Sequence, residues 1–113
     1  MQNNQIFFES DFTELIDLGA GCSRQIMGYD DNVMLVKASF ETGGIGAIHE
    51  HPHVQTSYVA TGKFEVTVDG DKRILSAGDG FFVPSGKQHG VVCLEAGILI
   101  DVFHPVRKDF LKV

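Results

Sequence analysis

The feature that most constrains this chain is a pair of spaced patterns, G-x5-H-x-H-x3-Q-x6-G from Gly43 to Gly62 and G-x5-P-x-G-x2-H-x3-C from Gly78 to Cys93. Each sets imidazoles among residues that punctuate the backbone, so short extended runs must turn at fixed points while carrying polar side chains. Side chains alternate along an extended segment, and His49, His51 and Gln55 share one parity. They can face one interior while His89 arrives from a different strand. Three imidazoles and an amide oxygen suit one divalent transition ion, Zn, Mn, Fe, Ni or Co, with one or two coordination positions left open. Open positions point to catalysis. The neutral amide of Gln55 leaves the ion its full double charge, which makes such a site a stronger Lewis acid toward an anionic ligand.

The rest of the chain suits that frame. Thirteen glycines separate short runs rich in Val, Ile, Phe and Thr, the rhythm of an all-β protein. Strands are expected over residues 33–40, 54–60, 63–68, 72–75, 80–83, 90–94 and 98–103, with Asp69-Gly70 as a type I′ hairpin turn. Residues 11–18 read as a helical turn or an opening strand, and residues 108–113 as a polar tail. Antiparallel strands of this length close into a small jelly roll whose interior can hold a ligand. At 113 residues the chain is a single domain with one core and one site.

Charge and ends narrow the partners. The net charge of −6, with nine dispersed Lys and Arg, argues against nucleic acid, which calls for a concentrated basic patch. No apolar run reaches bilayer length, so no membrane partner is expected. Met1 to Gln5 is polar and does not read as a secretory leader, and a cytoplasmic location is expected. Cys22 and Cys93 are far apart in a chain unlike a disulfide-stapled mini-domain, so both are read as reduced thiols, Cys93 as a small buried apolar residue. His53, after Pro52, and His104, before Pro105, are read as non-ligands.

Five stretches carry a closer likeness: Gly28-Tyr29-Asp30-Asp31-Asn32, Met34-Leu35-Val36-Lys37, His49-Glu50-His51-Pro52-His53-Val54-Gln55, Ser76-Ala77-Gly78-Asp79 and Asp101-Val102-Phe103. With the two patterns, they make the chain resemble the cupin superfamily over most of its length. Within it, the chain looks like the small KdgF-type pectin-degradation proteins, which act on unsaturated uronates. It departs from the usual cupin pattern at Gln55, where Glu is common, and at Cys93, where Asn is common. The resemblance implies a single-domain cupin jelly-roll β-barrel with its core over about residues 33–104, an N-terminal extension over residues 1–32 and a short tail. It also implies His49, His51, Gln55 and His89 as metal ligands, Asp101 as acid/base, Phe103 as a pocket residue, Arg107 as the carboxylate anchor, and a homodimer.

The residues alone leave those last roles open. Asp101, set among Ile98, Leu99, Ile100, Val102 and Phe103, is costly to bury without a purpose or a partner; it is a functional group or a structural hydrogen-bond acceptor. Phe103 shares its face, as core packing or as a stacking surface. Arg107 follows the turn at Pro105, folded over the barrel mouth or solvated. The activity implied by the resemblance is metal-dependent conversion of 4,5-unsaturated monouronates from pectin or alginate breakdown to linear 5-keto-4-deoxyuronate, with no redox cofactor. A non-catalytic sugar-binding or sensor cupin, and a metal-dependent cupin dioxygenase, are the alternatives.

Overall fold

Alternation in the sequence becomes alternation in space. In the computed structural model, which describes residues 5–111, the strand Met34–Phe40 buries every second residue from Met34 to Phe40, as a strand with one face on a core must. Eight strands are present among the described residues: β1 (Ile16–Gly19), β2 (Cys22–Tyr29), β3 (Met34–Phe40), β4 (Ile45–His49), β5 (Val54–Val68), β6 (Asp71–Ser76), β7 (Gly80–Val83) and β8 (His89–His104). Short 3-10 turns at Ser10–Phe12 and Lys108–Phe110 are the only helical elements among them. No helix among the described residues is long and apolar enough to cross a membrane.

All pairings are antiparallel, in the order β1-β2-β3-β8-β5-β6, with β4 added beside β8 and β7 beside β5. The two long strands pair with different neighbours along their two halves within one eight-stranded sheet. The second half of β8 pairs with β3, and the first half of β5 pairs with β7. The first half of β8 pairs with β4, and the second half of β5 pairs with β6. This is the expected all-β jelly roll, although its hydrogen bonding does not run round a complete ring, since β1 and β6 end the path. Residues 16–29, part of the expected N-terminal extension, form β1 and β2 on β3.

Residues 54–60 and 63–68 were expected as separate strands, as were 90–94 and 98–103. Each pair is one continuous strand that bends where β5 crosses β8. The pairing register shifts between Val59 and Phe64, and Gly62 meets Gly97 there. Gly62 has φ +84, and a Cβ on it would lie 2.5 Å from the Glu95 carbonyl oxygen. A Cβ on Gly97 would collide with the Thr61 carbonyl oxygen. Gly97→Ala is therefore expected to destabilise the protein by about 3 kcal/mol through overpacking against rigid backbone, read as a lower urea midpoint at unchanged m-value.

The Asp69-Gly70 turn has φ positive at both residues, as a type I′ hairpin requires, and fixes the pairing of Val68 with Asp71. The core divides in two. One cluster includes Phe40, Val59, Phe64, Val66, Cys93 and Leu99, with Phe40 and Phe64 edge to face at 5.2 Å. The other comprises Met34, Val36, Phe103 and Val106. The segment expected as a polar tail also contributes: Phe110 and Leu111 pack on this second cluster, because Phe110 meets Phe103 edge to face at 5.6 Å. Residues 112 and 113 lie outside the described residues.

Candidate metal centre

His49 ends β4, His51 lies in the short link that follows, Gln55 is the second residue of β5, and His89 opens β8. Antiparallel pairing sets His49 opposite His89. The link is pinned by Gly86, whose N–H donates to the His51 carbonyl at 2.9 Å, so both spaced patterns meet at one place. The ligand atoms of His49, His51 and His89 lie within 4.8 Å of one another.

Each ring is oriented through its other nitrogen. The Nδ1 atoms of His49, His51 and His89 sit 2.8, 2.9 and 2.9 Å from the carbonyl oxygens of Ala47, His53 and Lys87. A carbonyl only accepts, so each Nδ1 carries the proton and each Nε2 presents a lone pair to the cluster. Such second contacts are what orient metal-binding histidines. The Nε2 of His89 is buried with no hydrogen-bond partner, a costly state that an added cation would relieve.

Gln55 is oriented by a chain that begins at Asp101. The Asp101 carboxylate accepts from Ser57 Oγ at 2.6 Å, and Ser57 in turn accepts from Gln55 Nε2 at 3.0 Å. The amide oxygen of Gln55 is thereby turned toward His51 Nε2, 3.1 Å away. Two acceptors at that distance repel. A doubly protonated His51 would relieve them, but burial and then the charge of Arg107 push its pKa down. Burial likewise pushes His89 down to about 4. Burial thus favours the neutral, lone-pair-bearing form of His51 and His89, and three imidazole nitrogens with an amide oxygen fit a divalent transition ion.

These groups open on a cavity of ≈ 200 Å³ lined by His49, His89, Gln55, Asp101, Phe103 and Arg107 among others. Drug-sized ligands occupy about 300–1,000 Å³, so this space suits one sugar-sized molecule. Asp101 is pushed up to about 6 by burial, against the opposing pull of the Ser57 hydrogen bond and the Arg107 charge. Arg107 is buried, its Nε and Nη2 held by Asp109 at 3.0 and 2.7 Å, and that contact holds the Asp109 carboxyl below its usual range.

A cupin domain model matches residues 36–103, more than half of the chain and the segment that carries all four donors. The pectin degradation protein KdgF of Dickeya dadantii (strain 3937) is 46% identical over 107 residues, 93% of this chain and 97% of that protein. This chain is a cupin of the KdgF family. Among solved structures, an RmlC-like cupin from Shewanella frigidimarina NCIMB 400 superposes with a TM-score of 0.94 at 47% identity, over 98% of this chain and 100% of that one. KdgF from Halomonas sp. gives 0.89 at 38% identity, over 95% and 99%.

Within this cupin the structure brings His49, His51 and His89 together, sets Gln55 against His51, and places Asp101, Phe103 and Arg107 on the wall of the cavity that His49, Gln55 and His89 also line. His53 stands outside the cluster, its ring 5.5 Å from that of His51, and exposed His104 sits by the Asn32 carbonyl at 2.6 Å. Both cysteines are free and buried; burial pushes the Cys22 thiol up to about 11. Sequence reasoning passed over Ser57, Asp109, Phe110 and Arg24. Ser57 was within reach, since it shares the parity of Gln55 two residues earlier in one strand. Nothing local marks the other three, whose placement depends on contacts between the two ends of the chain.

Proposed function

We propose that this cupin is a metal-dependent enzyme that linearises 4,5-unsaturated monouronates to 5-keto-4-deoxyuronate. The observation that carries the reading is the hydrogen-bonded chain from Asp101 through Ser57 to Gln55, which links a half-buried carboxylate to an amide whose oxygen faces His51 Nε2 beside a sugar-sized cavity. Its kinship with the pectin degradation protein KdgF supports the substrate class. A divalent ion held by His49, His51, Gln55 and His89 would supply Lewis acidity toward a substrate oxygen.

The protein's own residues account for the proton balance. In its ionised form Asp101 takes the proton from the anomeric hydroxyl as the bond from C1 to the ring oxygen breaks, releasing an aldehyde and an enolate at C5. The same carboxyl then delivers that proton to C4, and the enolate becomes the 5-ketone. Atoms and charge balance, and no redox partner enters. A carboxyl raised toward 6 suits a group that must both accept and donate near neutral pH. Ser57 fixes its rotamer. Phe103, buried beside the His51 ring at 5.7 Å, supplies an apolar wall that keeps water from the reacting face.

Arg107 would hold the substrate carboxylate through the Nη1 side of its guanidinium, the side that Asp109 does not occupy. Arg107→Lys keeps the charge but loses the planar fork. It is expected to raise KM about tenfold, about 1.4 kcal/mol of binding, with a smaller change in kcat, measured by steady-state kinetics. The reaction itself is tested by incubating metal-loaded protein with purified unsaturated monogalacturonate under nitrogen and following the absorbance of the double bond. Loss faster than in buffer is the expected result. No acceleration removes the proposal and leaves a sugar-binding protein, and a strict need for oxygen points to a dioxygenase.

A further inference from the structure

Arg24 lies on β2, which antiparallel pairing places across from Ile16 on one side and Ala38 on the other. Its side chain lines the same cavity as His49 and Asp101. The guanidinium lies over Phe110, 3.5 Å from the ring centroid. The Arg107 guanidinium reaches the same ring at 4.1 Å, so the two cations are separated by no more than the sum of those distances. Burial and then the nearby Arg107 charge push the Arg24 pKa down, while the Asp109 charge pulls it the other way.

The two arginines differ in how that charge is answered. Arg107 has Asp109 forked on its Nε and Nη2. Arg24 has its Nε buried without a hydrogen-bond partner, and among the described residues no ion pair engages its side chain. A half-buried guanidinium whose buried Nε lacks a partner is costly in the empty protein. Stacking on Phe110 supplies attraction and holds the plane flat, leaving the hydrogen-bonding edges of the fork for a ligand. A planar fork with free edges matches a carboxylate bidentately.

We infer that Arg24 is a ligand-positioning residue that, with Arg107 across Phe110, forms a two-guanidinium clamp on the carboxylate of a bound sugar acid. The inference rests on the uronate reading for the identity of the ligand, while the call for an anion comes from the unpaired guanidinium itself. Phe110 becomes the spacer that sets the two forks apart. The short 3-10 turn at the end of the chain acquires a function in holding it there.

The test compares metal-loaded wild type, Arg24→Met and Arg24→Lys by thermal midpoint in the presence of D-galacturonate, a saturated sugar acid, and of galactose, its neutral counterpart. Galacturonate is expected to raise the wild-type midpoint well above any effect of galactose. Arg24→Met should weaken galacturonate at least tenfold, and Arg24→Lys should recover only part of the loss. With unsaturated monogalacturonate, KM should rise at least tenfold in Arg24→Met while kcat changes less than threefold. The unliganded Arg24→Met protein should melt no lower than wild type, because an unpaired cation has been removed. Equal shifts by the two sugars, no galacturonate shift in wild type, or unchanged affinity and KM in Arg24→Met would each overturn the clamp. A lower unliganded midpoint with unchanged KM assigns Arg24 to packing alone. Galacturonate binding that depends on Arg24, in a protein that does not linearise the unsaturated sugar, sinks the proposed reaction and leaves the clamp standing.

Discussion

Asp101→Asn is expected to lower turnover of unsaturated monouronate by about 10²–10⁴-fold, the usual contribution of a positioned acid/base group, with the metal content unchanged. Asparagine keeps the shape and still accepts from Ser57, so the chain to Gln55 is retained while the exchangeable proton is lost. Wild-type kcat/KM should rise with pH through an apparent pKa at or below 6, because burial raises Asp101 to about 6 and a bound cation lowers it again. In the variant that rising limb should vanish. A variant that keeps both its rate and its rising limb removes Asp101 from the reaction.

The same substitution has a stability signature in chelated protein. The folded pKa of Asp101 is raised above its ordinary value of 3.8, so the folded state holds the proton more tightly. Its contribution is fully present below about pH 4 and is lost as pH rises through about 6. His89, lowered from 6.5 to about 4, has the opposite sign: the folded state resists protonation, and stability is gained as pH rises from 4 to 6.5. The two slopes oppose each other in wild type. Asp101→Asn should unmask the His89 slope and gain on the order of 2 kcal/mol at pH 7, read from urea midpoints at several pH values.

Removing the metal is expected to be the second large effect. Four donors that converge with their lone pairs inward, one of them a buried and unpartnered His89 Nε2, favour the loaded state. A ligand at a thousand times its Kd adds about 4 kcal/mol. At roughly 4–8 °C per kcal/mol for a domain of this size, chelation should lower the midpoint by about 15 °C or more and abolish turnover, and metal added back should restore both. His51→Ala should bring metal content from one per chain to near zero. It also removes a buried ring packed against His89 at 4.6 Å and Phe103 at 5.7 Å, so the metal-free variant should itself lose about 2 kcal/mol. Equal midpoints with and without chelator, at full occupancy beforehand, would show that the donors do not form the stabilising site described.

Much of this arrangement is written locally. The alternation in β3 and the Asp69-Gly70 turn follow from the two-residue period of extended chain and from the few residues that tolerate positive φ. Those features belong to single segments, so the amino-acid order settles them before any long-range contact forms. The all-β class was therefore determined by the sequence by itself, whereas His49, His51 and Gln55 come together only across the link between β4 and β5. Tertiary structure decided the rest. Runs that read as four strands became the two strands β5 and β8, because Gly62 and Gly97 let the backbones cross at a distance no Cβ would permit. Ser57 met Asp101, and Arg24 and Arg107 met over Phe110, because antiparallel register and a packed C-terminal turn bring together residues far apart in the chain, and no local pattern encodes which distant partner a side chain will find.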